Sequence, residues 1–220
     1  MQNILKNTKT LLIPYLIIFV TALTLKIIFT KEDIYFFING LHFQAGDILF
    51  PYVTELGSTI TAFVLPLLLL FVSYRKSLLL GSSYLFTLII NVPLKNFFGA
   101  PRPKLYFDGI LPVRPIYYVP NVEVLSNHFS FPSGHTVCAF TGAVVLTYIT
   151  PNKKFGYLYL LLALLVAYSR MYMSQHFFED VTAGSFVAVL FTTLWLSWFD
   201  TRPFIQKPFW QGSLSRKTAK

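Results

Sequence analysis

A short polar stretch, SRMYMSQHFFED from Ser169 to Asp180, separates two long apolar segments near the end of the chain. Within it His176 and Asp180 are four residues apart, a spacing that places both side chains on one face of a helix. A carboxylate bonded to one imidazole nitrogen fixes the tautomer and leaves the other nitrogen free to act as a nucleophile or a base. The pair therefore predicts nucleophilic or acid–base chemistry if a helix has begun there.

Three cations could hold an anion beside that pair. Lys95 and Arg102 lie in a second polar stretch, KNFFGAPRP, and Arg170 lies in the first. Arginine in particular offers planar, bidentate donors that match the oxygens of a phosphate. These side chains therefore predict a binding site for a phosphoryl group.

A third polar stretch, FPSGHT, supplies a helix start. Ser133 and Gly134 open the predicted helix, where free backbone N–H groups and the helix dipole favour an anion, and glycine lets an oxyanion approach the backbone. His135 follows directly and is the candidate for the proton transfer that releases an alcohol. Together the three stretches predict a cradle for phosphoryl transfer.

The composition indicates which elements must position these residues. The chain has 220 residues, of which 55% are hydrophobic and 12% charged, and its mean hydropathy is +0.58. Several apolar runs reach roughly 18 to 20 residues, the length needed to cross a bilayer. A very apolar soluble helical protein would need polar stripes at helical spacing, and these runs have almost none. We therefore predict an all-α, polytopic membrane protein with six transmembrane helices, at about residues 11–30, 58–74, 78–97, 133–150, 154–172 and 177–199.

The remaining sequence features favour a single domain. The apolar run near Leu11 is too long for the hydrophobic part of a cleaved signal peptide, so it predicts a retained first span. Cys138 is the only cysteine, so it cannot form an intramolecular disulfide and is expected to fill space in a helix. Residues 1–220 are expected to form one membrane-embedded domain with a basic cytoplasmic tail over about residues 200–220.

The charges divide unevenly between the two sides of the predicted bundle. One side carries eleven basic residues and the single acid Asp200, whereas the other carries seven basic residues, eight acids and all four histidines. Because lysine and arginine in short loops favour the cytoplasm, both termini are predicted to be cytoplasmic and the three polar stretches to face outward. The net charge of +9 then reflects topology and attraction to anionic lipids, and it does not indicate a nucleic-acid partner.

Two outer connections are longer than a turn. Residues 31–57 mix acids with Phe and Tyr, a pattern expected of an amphipathic helix lying on the membrane surface. Residues 98–131 contain five prolines and several aromatic residues. That segment is too proline-rich for a helix, and its aromatic side chains suit the headgroup region. Loops of this length are usually functional or disordered.

Each polar stretch also has an ordinary structural explanation. Proline and serine commonly precede helices, an acid in a first turn complements the helix dipole, and Lys95 and Arg102 could extend to the interface. The coincidence of all three stretches on one membrane face favours a functional site, because ionisable groups near a bilayer usually serve function. Of the neighbouring residues, His128 is expected to make a loop or headgroup contact, Glu179 to be solvated and Lys26 to extend outward.

The three stretches together resemble the signature of the type 2 phosphatidic acid phosphatase family, part of the wider acid phosphatase and vanadium haloperoxidase superfamily. The matching pattern is Lys95, six residues, Arg102 and Pro103; then Pro132 to His135; then Ser169 and Arg170, five residues, His176, three residues and Asp180. All three parts agree in order and spacing within residues 95–180, and no motif position is substituted.

The resemblance implies a helical membrane enzyme that hydrolyses a lipid phosphate monoester or diphosphate through a phosphohistidine, without a metal or other cofactor. Transferred position by position, it implies His176 as the nucleophile, Asp180 as its orienting partner and His135 as the general acid. It also implies that five residues hold the phosphoryl oxygens: Lys95, Arg102, Ser133, Gly134 and Arg170.

The resemblance also limits the substrates and the location. It implies phosphatidic acid, phosphatidylglycerol phosphate, undecaprenyl diphosphate or lipid A as substrate, at the outer face of a bacterial inner membrane. Two alternatives stay open: a lipid phosphotransferase that uses the same phosphohistidine, and a non-catalytic transporter or receptor for an anionic lipid. A binder needs the cations, but it has no use for two histidines, one of them spaced to pair with a carboxylate. The sequence indicates neither the particular lipid nor an oligomeric state.

Overall fold

The computed structural model describes residues 1–110 and 114–215, and helices account for most of them. The α-helices, in chain order, are α1 (Gln2–Ile28), α2 (Lys31–Asn39), α3 (Gln44–Val53), α4 (Thr59–Leu69), α5 (Tyr74–Phe98), α6 (Pro103–Asp108), α7 (Gly134–Ile149), α8 (Phe155–Tyr172) and α9 (Phe178–Phe199). A 3₁₀ helix, Thr54–Gly57, joins α3 to α4, and two more follow α9 at Pro203–Gln206 and Pro208–Gln211. The all-α prediction is confirmed for the described residues. Arg216, Lys217 and Lys220 of the predicted basic tail, and Pro112 of the proline-rich loop, lie outside them.

Four described helices are long and apolar enough to cross a bilayer. They are Gln2–Ile28, Tyr74–Asp108 (α5 together with the short α6 that follows it), Phe155–Tyr172 and Phe178–Phe199. The segments Gln44–Gly57 and Thr59–Leu69 meet at a bend of 57° and add a fifth crossing if they form one broken span. The apolar helix α7 is shorter than these. The chain is therefore a multi-pass membrane protein, and the number of six spans stays a prediction.

Two predicted helix boundaries differ from the observed ones. The first helix begins at Gln2 instead of about residue 11, because its polar N-terminal turns continue the helix although they are not apolar enough to count as a span. The second predicted span, 58–74, ends at Leu69, and a turn leads to Tyr74, where α5 begins. The backbone N–H of Ser73 donates to the Leu69 carbonyl and closes that turn.

Helix α7 lies at the centre of the bundle, in contact with α1, α5, α8 and α9. Its inner face is fully buried and includes Phe140, Val144 and Val145. Gly184 of α9 lets the start of α7 come close, because a Cβ at that position would lie 2.8 Å from the Ser133 carbonyl oxygen. Large apolar side chains on the outer faces of α1, α4 and α5 are exposed, as expected of surfaces that meet lipid.

The prediction of a single helix over residues 31–57 is wrong, whereas its location at the membrane surface stays a prediction. The segment forms α2, α3 and the 3₁₀ turn, and all three pack against α8. Tyr35, Phe50 and Thr54 are buried there. Some of the aromatic residues pack against distant parts of the chain, as Tyr35 does against Phe107 and Phe177, whereas Phe37 and Tyr52 are exposed.

The prediction that residues 98–131 are too proline-rich for a helix is wrong at one place. Helix α6 begins at Pro103, in the first helical turn, where a missing N–H has no intrahelical partner to lose. Beyond α6 the described part of the loop returns to the end of α5. There the Arg102 N–H donates to the Asn127 carbonyl at 2.9 Å, and the Ser130 N–H donates to the Ala100 carbonyl at 3.0 Å.

The expectations for Glu179 and Lys26 are also corrected. Glu179 forms ion pairs with Lys26 at the end of α1 and with Lys31 of α2, the latter at 2.5 Å. The Lys31 ammonium also lies 4.4 Å from the centre of the Phe177 ring. These contacts join α1 and α2 to the first turn of α9, directly beside Asp180.

Candidate active site

His176 and Asp180 form a buried pair at the start of α9, and each residue is 1% exposed. The Nδ1 atom of His176 lies 3.3 Å from Oδ2 of Asp180. The same oxygen accepts the Phe177 N–H at 2.8 Å and the Ser130 hydroxyl at 2.6 Å. Asp180 stands in the first turn of the helix, so its carboxylate caps free backbone donors while it contacts the imidazole. The predicted contact is present, but not on one helical face: α9 begins at Phe178, so His176 precedes the helix and Asp180 reaches back to it.

The surroundings of His176 determine its tautomer. An Nη1 atom of Arg102 lies 3.3 Å from Nε2, and a guanidinium can only donate hydrogen bonds. The Nε2 atom must therefore carry the lone pair, and the ring proton must reside on Nδ1, toward Asp180. Burial, reinforced by the nearby cations, lowers the pKa of His176 well below its usual range. The imidazole is consequently neutral at physiological pH and presents the lone pair that a nucleophile needs.

The three predicted cations lie near His176, which Arg102 contacts directly, and have no carboxylate partner among the described residues. Arg102 is 8% exposed and donates to the Asn127 side chain at 3.0 Å and to the Gln175 carbonyl at 2.8 Å. Arg170 is 6% exposed and donates to the Thr54 hydroxyl at 3.0 Å, while its buried Nε has no hydrogen-bond partner. Buried charges without a counterion are costly, so an incoming anion would stabilise this arrangement.

The start of α7 completes the cradle. The Ser133 hydroxyl accepts from the Thr136 hydroxyl at 3.0 Å and from the Thr136 N–H at 3.5 Å, so it acts as the helix cap. The Ser133 N–H donates to the Asp180 carbonyl at 3.0 Å and ties this helix start to the catalytic pair. Lys95 donates to the Phe129 carbonyl at 2.8 Å, and its Cε lies 3.7 Å from the point where a Cβ on Gly134 would stand.

His135 faces a groove that leaves the cradle toward the lipid. The groove has a volume of about 540 Å³ and runs between α4, α5 and α7. Lys95, Gly134 and His135 line it together with apolar side chains that include Phe63, Leu67, Leu85, Leu88 and Val92. Behind His135, Gly57 allows the 3₁₀ turn to pack closely, because a Cβ there would lie 2.5 Å from the His135 carbonyl oxygen.

Three residues of the site were not found from the sequence: Ser130, Asn127 and Thr54. Each contacts a predicted site residue from a loop or turn that is distant along the chain, and no spacing pattern marks them.

Conversely, His128 is exposed and lies 3.3 Å from the Gly99 carbonyl, as expected of a loop contact. The Ser169 hydroxyl donates to the Val166 carbonyl at 2.7 Å, within its own helix. Within residues 1–110 and 114–215, no group of three or more His, Cys, Asp or Glu side chains could hold a metal ion.

A family model described as the PAP2 superfamily matches residues 76–204, more than half of the chain. The chain belongs to the PAP2 superfamily. This match confirms the resemblance indicated by the three polar stretches, because it contains all of them.

Relatives that are similar in sequence carry two kinds of name. The chain is 34% identical over 122 residues to an undecaprenyl-diphosphatase of Sulfolobus acidocaldarius, covering 55% of this chain and 54% of the relative. It is 27% identical over 182 residues to the undecaprenyl-diphosphatase BcrC of Bacillus subtilis, covering 79% and 86%. It is 37% identical over 89 residues to the bacitracin transport permease protein BcrC of Bacillus licheniformis, covering 39% and 42%. The chain thus spans about half the length of the Sulfolobus and Bacillus licheniformis relatives.

Two crystal structures share the fold. Aquifex aeolicus LpxE superposes with a TM-score of 0.65 at 26% identity, covering 76% of this chain and 94% of that one. The PAP2-type phosphatidylglycerolphosphate phosphatase of Bacillus subtilis superposes with a TM-score of 0.62 at 25% identity, covering 90% and 98%. Together with the family model, the phosphatases among these relatives indicate a membrane phosphatase.

Proposed function

We propose that this protein is an integral membrane phosphatase that hydrolyses a lipid phosphate monoester or diphosphate through a phosphohistidine intermediate. The observation that carries the proposal is the orientation of His176. Its Nδ1 contacts Asp180, and its Nε2 lone pair faces Arg102 among cations that lack a carboxylate partner in the described chain. A buried, neutral imidazole with this tautomer is suited to attack phosphorus.

Two steps account for the hydrolysis. In the first, the Nε2 lone pair of His176 bonds to phosphorus, the bond from phosphorus to the bridging oxygen breaks, and that oxygen takes a proton from His135. In the second, His135 removes a proton from water, and the water oxygen bonds to phosphorus. The P–N bond then returns its electron pair to His176, and inorganic phosphate leaves. Lys95, Arg102 and Arg170 stabilise the charge on the phosphoryl oxygens throughout.

The groove beside His135 supports a lipid as the leaving group. Its apolar walls continue from the cradle along α4 and α5, whose exposed side chains are apolar. A hydrocarbon chain in the groove would place its polar end at Lys95 and His135. A small water-soluble phosphate ester has no hydrocarbon chain to pack against these apolar walls.

We further propose that the site opens at the outer face of a bacterial inner membrane and that both termini are cytoplasmic. The uneven distribution of lysine and arginine supports this orientation. At the end of the bundle opposite the site, Arg75 and Asp200 form an ion pair at 2.7 Å, and the Tyr148 hydroxyl donates to the same carboxylate. The single acid on the basic side is therefore already neutralised.

The test is phosphate release by the purified protein from a panel of lipids: undecaprenyl diphosphate, phosphatidylglycerol phosphate, phosphatidic acid and lipid A. We expect the wild type to release phosphate from at least one of them and His176→Ala to release none. His128→Ala is the matched control, because it removes an exposed histidine from the neighbouring loop, and it should retain full activity. Phosphate release by His176→Ala at the wild-type rate would contradict the nucleophile. A wild type that binds these lipids and releases nothing would instead favour transport.

A further inference from the structure

Asn91 has a buried side chain that the proposed mechanism does not use. It stands on α5 one helical turn before Lys95 and is 3% exposed. Its Oδ1 atom is buried and has no hydrogen-bond partner in the described chain. Leaving a buried amide oxygen unpaired is unfavourable, most of all in apolar surroundings. Oδ1 is an acceptor and cannot itself bind an anion. The Nδ2 donor of the same amide also makes no hydrogen bond within the described chain and lies beside the groove, so it is available to an acceptor that arrives with a ligand.

The position of the amide identifies where that ligand would lie. Asn91 lines the 540 Å³ groove together with Lys95, Gly134 and His135. Its Nδ2 lies 3.7 Å from the point where a Cβ on Gly134 would stand, and the Lys95 Cε lies at the same distance from that point. The amide is thus next to the phosphate cradle, on the side from which the lipid enters. It belongs to the part of the site that holds the leaving group.

Two other polar side chains in the groove already have partners within the protein. The Thr87 hydroxyl, one turn before Asn91, donates to the Ser83 carbonyl at 3.0 Å. The Cys138 thiol donates to the Ser58 carbonyl at 3.6 Å. These bonds stay within the protein, whereas the Asn91 amide is free to bind a substrate atom.

We propose that the Asn91 amide binds the second phosphate of a lipid diphosphate, the phosphate that stays on the lipid. This inference rests on the proposed function and specifies its substrate class. When Nε2 of His176 bonds to the terminal phosphorus, the bridging oxygen keeps the electron pair and accepts the proton from His135. The leaving group is then a lipid monophosphate, whose remaining oxygens accept hydrogen bonds from Nδ2 of Asn91. The Oδ1 atom can accept from Lys95, which has further N–H donors available.

A simple lipid monophosphate places fewer hydrogen-bond acceptors next to the Asn91 amide. In such a substrate the bridging oxygen is bonded to carbon, so the position next to Asn91 would hold a methylene group and leave the amide unpaired. In a diphosphate the same position holds phosphorus with two further oxygens. The buried amide therefore favours the diphosphate over the monophosphate of the same lipid.

The experiment compares Asn91→Leu with the wild type on undecaprenyl diphosphate, undecaprenyl phosphate and phosphatidylglycerol phosphate. A lost hydrogen bond to a charged group corresponds to a fall of roughly 10- to 100-fold in kcat/KM, and we expect it for the diphosphate only. Thr87→Val is the matched control, since it changes the same groove without removing a free donor. Asn91→Asp keeps the shape and replaces the donor by an acceptor, so it provides the same test if the leucine variant folds poorly.

Several results would overturn the inference. They are an unchanged kcat/KM for the diphosphate, an equal fall for all three lipids, a fall for phosphatidylglycerol phosphate alone, or a wild type that cleaves monophosphates but no diphosphate. In each of these the wild type still releases phosphate, so the proposed function stands. If the wild type releases phosphate from none of the lipids, the proposed function itself fails.

Discussion

Ser130 offers a direct test of how the nucleophile is held. Its hydroxyl donates to Oδ2 of Asp180 at 2.6 Å and lies 3.4 Å from Nδ1 of His176. The Ser130 backbone is itself fixed to Ala100. Replacing Ser130 by alanine removes one of the three donors to that carboxylate oxygen while leaving the loop in place. The residue touches the orienting group and not the substrate, so it is a positioning residue.

The size of the effect follows from these contacts. A hydrogen bond to a charged group contributes about 1.5 to 3 kcal/mol, which corresponds to roughly 10- to 150-fold in rate if it is lost at the transition state. The Phe177 N–H still holds Asp180 at 2.8 Å, so the carboxylate should keep its place approximately. We therefore expect kcat to fall toward the lower end of that range, about 10- to 30-fold. KM should change less than about threefold, because the cations that bind the phosphate are intact.

The assay is steady-state phosphate release from a lipid substrate, with kcat and KM measured separately. Ser130→Thr retains the hydroxyl and should recover most of the rate. Ser169→Ala is a matched control, since that buried serine bonds only within its own helix, and it should leave kcat nearly unchanged. A Ser130→Ala enzyme with the wild-type kcat, or one whose loss appears in KM alone, would refute the role of this hydrogen bond.

Two further predictions concern the groove and the nucleophile. Gly57→Ala places a Cβ 2.5 Å from the His135 carbonyl oxygen and 2.7 Å from Val166. It should therefore displace the start of α7 and lower both kcat and the melting temperature. A variant equal to the wild type in both quantities would contradict this packing. The lowered pKa of His176 keeps its imidazole neutral as the pH falls, so the acid limb of kcat/KM should lie below pH ~6.5. Comparison of a monoester with a diphosphate separates this limb from substrate ionisation, and a shared limb above that pH would contradict the prediction.

Much of the site could be predicted because its members follow local rules. The sequence pairs His176 with Asp180, and the structure brings their side chains together, although His176 precedes α9 and Asp180 reaches back to it from the first helical turn. Ser133 caps α7 as its sequence context suggests. The three cations could be proposed because arginine and lysine offer donors that match phosphate oxygens, and all three lie in polar stretches on one predicted face.

The remaining features depend on contacts between distant segments. Ser130 is 50 residues from Asp180 along the chain, and Thr54 is 116 residues from Arg170. No local pattern connects them, so the sequence could not mark either residue. The same reason explains the error over residues 31–57. The sequence does not mark the break between α2 and α3, and it does not indicate that Tyr35 and Phe50 pack against distant residues.

The five residues between Arg170 and His176 have a structural explanation. Helix α8 ends at Tyr172, and Ser174 adopts a left-handed backbone conformation with φ +54°, which is uncommon for a residue other than glycine. This turn brings the N–H groups of Gln175 and His176 back to the Arg170 carbonyl, at 2.9 and 3.2 Å. One turn therefore fixes His176, the proposed nucleophile, relative to the backbone of Arg170, which is proposed to bind the phosphate. A longer or shorter connection would separate them, so this spacing is a requirement of the chemistry as well as of the fold.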